Sequence, residues 1–98
     1  MALNITINQD EKTIALEGRL DTITAPELEK AIEKMLDNVD SLILDFKNLV
    51  YISSAGLRVI LKTYKKLETK KGLQLINVSN EVKEVFEITG FSDFLNIK

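Results

Sequence analysis

The sequence predicts an α/β fold of two layers. It is a mixed, four- to five-stranded β-sheet with helices packed on it, in the order β-β-α-β-α-β-α. Three observations lead there. The first two apolar segments alternate with a period of two, three later segments place apolar residues at helical spacing, and short apolar runs between those helices read as buried strands. Helical crossovers follow the opening hairpin, so the later strands are expected to run parallel and the first strand antiparallel to them.

The elements follow in order. Leu3, Ile5 and Ile7 alternate with Asn4, Thr6 and Asn8, and after a polar turn at Gln9, Asp10 and Glu11 the alternation resumes through Ile14 and Leu16. These two strands should pair as a hairpin, with Gly18 ending the second. Thr24 and Glu27 fit a capping box, with Pro26 tolerable in the first turn of a helix that buries Leu28, Ile32, Met35, Leu36 and Val39. Ser41 to Phe46, SLILDF, reads as a buried strand, followed by a short connection through Asn48 to Ile52. The next helix, Ala55 to Leu67, carries its stripe on Leu57, Ile60, Leu61, Tyr64 and Leu67, and Thr69, Lys70, Lys71 and Gly72 stop it. Leu73, Leu75, Ile76 and Val78 make another strand. Ser79 or Asn80 then caps a last helix with Val82, Val85, Phe86 and Ile88 facing inward and Gly90 closing it. Phe91, Phe94, Leu95 and Ile97 form a C-terminal flap or a short final strand. Residues 1–98 are expected to be a single domain.

Composition removes several kinds of chemistry. A chain of 98 residues is large enough for one core without staples, and its 45% apolar and 29% charged shares are ordinary for a globular protein. A net charge of −2 gives no general attraction to nucleic acid or anionic membrane. With neither cysteine nor histidine, the chain has no disulfide framework, none of the usual zinc ligands and no Ser–His pair. Its acidic residues are scattered, so no metal or other cofactor is expected. Lys62, Lys65, Lys66, Lys70 and Lys71 gather where a helix end favours cations, which reads as a solvated face rather than a nucleic-acid surface. MALNITINQDEK lacks the features of a signal peptide, and Asp45, Lys47 and Arg58 break the most apolar window. A cytoplasmic location without membrane insertion is expected.

The chemistry that remains centres on ISSAGLR, Ile52 to Arg58, where a strand hands over to a helix. A helix N-terminus presents unpaired N–H groups and a partial positive charge, which suit a serine as cap and equally suit a phosphate. Ser54-Ala55-Gly56 resembles half of a nucleophile elbow. Ile52 stands where the first glycine belongs, however, and there is no histidine to take the proton. A phosphate-cradling G-x-x-x-x-G-K-[ST] loop is absent as well. No enzyme is expected. Asp21, in GRLDTITAPEL, follows a strand and precedes a helix, so it serves either as a turn or cap residue or as part of a site at the carboxyl ends of the strands.

These segments together resemble the anti-sigma factor antagonists of the STAS domain family. The resemblance rests on the opening hairpin, GRLD, SLILDF, ISSAGLR, GLQLINV and the closing EVFEITGF. It implies a STAS-like sandwich and a regulatory protein rather than an enzyme. The unphosphorylated form would bind an anti-sigma factor that is also a serine protein kinase, freeing the sigma factor. That kinase would phosphorylate the serine at the helix start, and a serine phosphatase would reverse it. Ser54 matches that serine, two before Gly56 and three before Leu57. Many members carry an acidic residue just before it. Here Ser53 holds that place, so two adjacent hydroxyls compete as acceptor. The partner-binding surface implied is Asp21, Thr22, Ser53, Ser54, Ala55 and Arg58. Two other roles occur among STAS domains, a binding subunit of a transporter or lipid-trafficking complex and a small-ligand signalling module.

Overall fold

The computed structural model describes residues 3–97; Met1, Ala2 and Lys98, the ends of the expected 1–98 domain, lie outside the described residues. The strands are β1 (Leu3–Asn8), β2 (Thr13–Leu20), β3 (Ser41–Ile52), β4 (Gly72–Ile76) and β5 (Asn96–Ile97). The helices are α1 (Ala25–Leu36), α2 (Ser54–Leu67) and α3 (Asn80–Ile88), with a 3-10 turn at Phe91–Asp93 before β5. One five-stranded sheet has the order β1-β2-β3-β4-β5. β1 is antiparallel to β2, and every later pair is parallel.

That order decides the layering. Each parallel crossover steps in the same direction across the sheet, so crossovers of the usual right hand place all three helices on one face. Burial agrees with this. Ile14, Leu16 and Leu20 of β2, Leu42, Leu44 and Phe46 of β3, and Leu73 and Leu75 of β4 are buried under the helices. Their alternate neighbours Thr13, Ala15, Ile43, Asp45 and Gln74 are half-exposed on the other face. Phe46 and Phe86 are fully buried and stack with centroids 6.2 Å apart, fastening α3 to the middle of the sheet. Phe91 and Phe94 continue the aromatic contacts to Tyr64 on α2.

Several expectations are corrected. β3 does not stop at Phe46 but runs to Ile52, leaving Ser53 as the whole connection to α2. Its pairing with β2 slips by one residue twice, between Ala15 and Glu17 and between Gly18 and Arg19. Each slip is a bulge with an extra β3 residue, which rephases the inward side chains from Phe46 to Leu49 and then Ile52. Gly18 does not end β2. Its φ of 109° lets the strand bend at the second bulge and continue to Leu20. The capping box at Thr24 does not form, for its backbone is helical and its hydroxyl is turned back into the preceding loop. On α2, Val59 and Thr63 are buried while Leu61 and Tyr64 are half-exposed, because the helix packs on α1 as well as on the sheet. Leu36 and Val39 are likewise only half-buried, and Ile88 is 78% exposed at the end of α3.

Candidate functional site

β2 and β3 are neighbours, and their last residues are in register, Leu20 beside Ile52. The Ser53 N–H donates to the Leu20 carbonyl at 2.9 Å, so the β2–α1 loop and the start of α2 are tied together at the carboxyl rim. This is where Asp21, Thr22, Ser53, Ser54, Ala55 and Arg58 lie, the first two on the loop and the rest in the first turns of α2.

The loop is a closed hydrogen-bonded turn. Asp21 Oδ1 accepts the N–H groups of Ile23 and Thr24, both at 3.0 Å. Thr24 Oγ1 accepts the Asp21 N–H at 2.9 Å and donates to the Arg19 carbonyl at 2.8 Å. The Asp21 carbonyl takes the Ala25 N–H at 2.8 Å, leading into α1. Thr24 is buried with its hydroxyl satisfied, so a threonine is needed where the sequence suggested only a cap. The Thr24 N–H bond holds the Asp21 carboxyl below its ordinary range. Desolvation opposes it as the next largest effect, and the Ile23 N–H, the Thr24 hydroxyl and the Arg19 charge add to the lowering.

The two serines have different surroundings. Ser53 is the N-cap of α2. Its extended backbone (φ −99°, ψ 175°) lets Oγ accept the Gly56 N–H at 3.3 Å, while its carbonyl accepts the Leu57 N–H at 2.9 Å. Ser54 is the first helical residue and is exposed, and no hydrogen bond among the described residues engages its hydroxyl. Ala55 is half-buried. Arg58 is exposed one turn beyond Ser54, where positions four apart share a helix face, and it makes no ion pair among the described residues. Gly56 sits where α2 meets the strand ends, for a Cβ there would lie 2.6 Å from Leu20 Cγ. A glycine in that place lets the serine-bearing turn lie directly on the sheet.

Other rim features were not foreseen from sequence. Arg19 and Tyr51 are paired across β2 and β3, with the guanidinium 4.1 Å from the ring centroid. The bulges turn Val50 and Tyr51 both outward, 58% and 40% exposed, and Ile23 on the loop is 82% exposed. Irregular pairing leaves no periodic signal for Val50 and Tyr51, and Ile23 lies in a loop, where no periodicity applies.

Binding crevices in open α/β sheets form where the strand order reverses. Among the described strands it never reverses. A groove of about 660 Å³, lined by residues that include Lys30, Lys34, Lys66 and Lys70, lies at the opposite ends of α1 and α2. Among the described residues, no three acidic side chains gather as a metal site, and no helix is long and apolar enough to cross a membrane.

Residues 2–98 match the family model described as STAS domain. The chain is similar to the anti-sigma-B factor antagonist of Staphylococcus aureus (strain NCTC 8325 / PS 47), with 33% identity over 99% of this chain and 94% of that protein. It is also similar to the anti-sigma-B factor antagonist of Bacillus subtilis (strain 168), with 30% identity over 99% of this chain and 92% of the relative. In three dimensions it resembles the crystal structure of an anti-sigma factor antagonist from Mycobacterium paratuberculosis. That match has a TM-score of 0.82 at 22% identity, over 98% of this chain and 83% of the other.

Proposed function

The chain belongs to the STAS domain family, and from that premise we propose that it is an anti-sigma factor antagonist controlled by phosphorylation of Ser54. Its curated relatives carry that name along nearly their whole length, which favours this role over a transporter subunit or a small-ligand module. The unphosphorylated domain binds an anti-sigma factor with serine kinase activity in the cytoplasm and releases the sigma factor. The kinase spends ATP to modify the serine, and a phosphatase restores it. The chain is substrate and partner in this cycle, not catalyst, and it reaches transcription through protein contacts rather than nucleic acid. Residues 1–98 act as one domain.

One observation carries the choice of residue. Ser53 has committed its hydroxyl to the cap of α2, whereas Ser54 stands exposed beside it on the rim that holds Asp21. A phosphate there adds about −1.5 to −2 charge. The helix N-terminus accommodates that charge, and Arg58 one turn away is free to pair with it. The fold therefore has no reason to change, but the surface offered to the partner does.

Intact-mass measurement with fragment mapping, after incubation with the cognate kinase and ATP, tests this. One phosphate on Ser54, lost in Ser54→Ala and kept in Ser53→Ala, is expected. Modification that survives Ser54→Ala and vanishes in Ser53→Ala would move the site by one residue.

A further inference from the structure

We propose that Ile23 is an apolar anchor for the anti-sigma partner, seating in an apolar pocket of that partner next to the place that receives Ser54; this rests on the function proposed above. A lone exposed isoleucine is ordinary on a protein surface, and three features set this one apart.

Its backbone is fixed first of all. The Ile23 N–H is held by Asp21 Oδ1, and the flanking residues are closed by the Asp21–Thr24 and Thr24–Arg19 hydrogen bonds. A turn so constrained presents an 82% exposed side chain that has little backbone freedom left to lose on docking. Secondly, the turn is attached to the serine-bearing connection through Leu20 and Ser53, so a partner that reaches Ser54 meets the Ile23 turn on the same rim. Thirdly, the same strand ends carry Arg19 stacked on the 40% exposed Tyr51, two residue types favoured at interface centres. Asp21 is thus mainly the brace of the turn, and Ile23 is what the brace presents.

Ile88 is a matched control. It is 78% exposed at the C-terminal end of α3, and α3 runs back from the rim toward the opposite end of the sheet. The experiment is titration calorimetry of Ile23→Ser, Ile23→Leu and Ile88→Ser against the purified cognate anti-sigma kinase with ADP bound, alongside thermal melts. Ile23→Ser is expected to melt with the parent protein and to bind at least tenfold more weakly. Ile23→Leu and Ile88→Ser are expected to stay within twofold of the parent. In phosphorylation assays Ile23→Ser should raise KM about tenfold and leave kcat alone, because docking is lost and chemistry is not. If the parent binds and Ile23→Ser binds within twofold of it, the anchor is disproved while the functional reading stands. Equal losses in Ile23→Ser and Ile88→Ser would also overturn the anchor. A parent protein that binds no anti-sigma kinase would overturn the functional reading and this inference with it.

Discussion

The Asp21 carboxylate takes the N–H groups of Ile23 and Thr24, and the arrangement favours its charged form. Its pKa in the folded chain is thereby lowered below the value in the unfolded chain. Stability from this group is then fully present above the unfolded pKa and is lost as pH falls through the folded one. Asp21→Asn keeps an acceptor but carries no charge at any pH. The parent protein is therefore expected to melt above Asp21→Asn at pH 6, with the gap closing as pH is lowered to about 2, below the ordinary carboxylate range. Thermal melts across that interval check it, and a gap that widens with acid would contradict the turn geometry. Asp21 was visible in the sequence as either a turn residue or a site residue. The structure shows the turn, and that turn places Asp21 on the rim. Which of Ser53 and Ser54 caps α2 was not visible from the residues, because both can cap a helix and only the backbone angles decide which one does; Ser54 was singled out as phosphate acceptor by the family resemblance.

Helix α2 starts at the ends of β2 and β3 and runs back over β3 and β4, and its stability comes from the face it buries. Ile60 is fully buried, and Leu57 is nearly so. Ile60→Ala and Leu57→Ala should each cost about 2–5 kcal/mol, the usual range for such truncations. Gly56→Ala should cost about 1–3 kcal/mol by overpacking, since its methyl would overlap Leu20 Cγ. Exposed Lys65→Ala should stay within about 0.5 kcal/mol. Urea unfolding midpoints compare the four, and equal shifts for Lys65 and Ile60 would mean that the buried face is misplaced. The core side of this helix was legible because its stripe follows helical spacing. The far half of β3 was not. Two bulges add a residue each, so LVYI loses its alternation and looked like a loop, although it is paired strand up to Ile52. The exposed Val50 and Tyr51 were hidden for the same reason.

For the whole molecule, strand order and crossover hand place every helix on one face and the β2–α1 and β3–α2 connections side by side at the carboxyl rim. The result is one continuous rim, with the exposed Ser54 hydroxyl on it. In the function proposed above, a phosphate there acts on the partner, which would have to desolvate it together with Arg58 on the same helix face, and a buried charge whose pairing is incomplete costs several kcal/mol. The most direct test is calorimetric titration of the cognate anti-sigma kinase, with ADP bound, by the parent protein and by protein fully phosphorylated on Ser54, each with its thermal melt. The expected result is a loss of affinity of at least about 100-fold, or about 2.8 kcal/mol at tenfold per 1.4 kcal/mol, with the melting temperature unchanged or slightly raised. Equal affinity of the two forms, or a phosphorylated form that melts many degrees lower, would contradict a switch that works by surface charge on an unchanged fold.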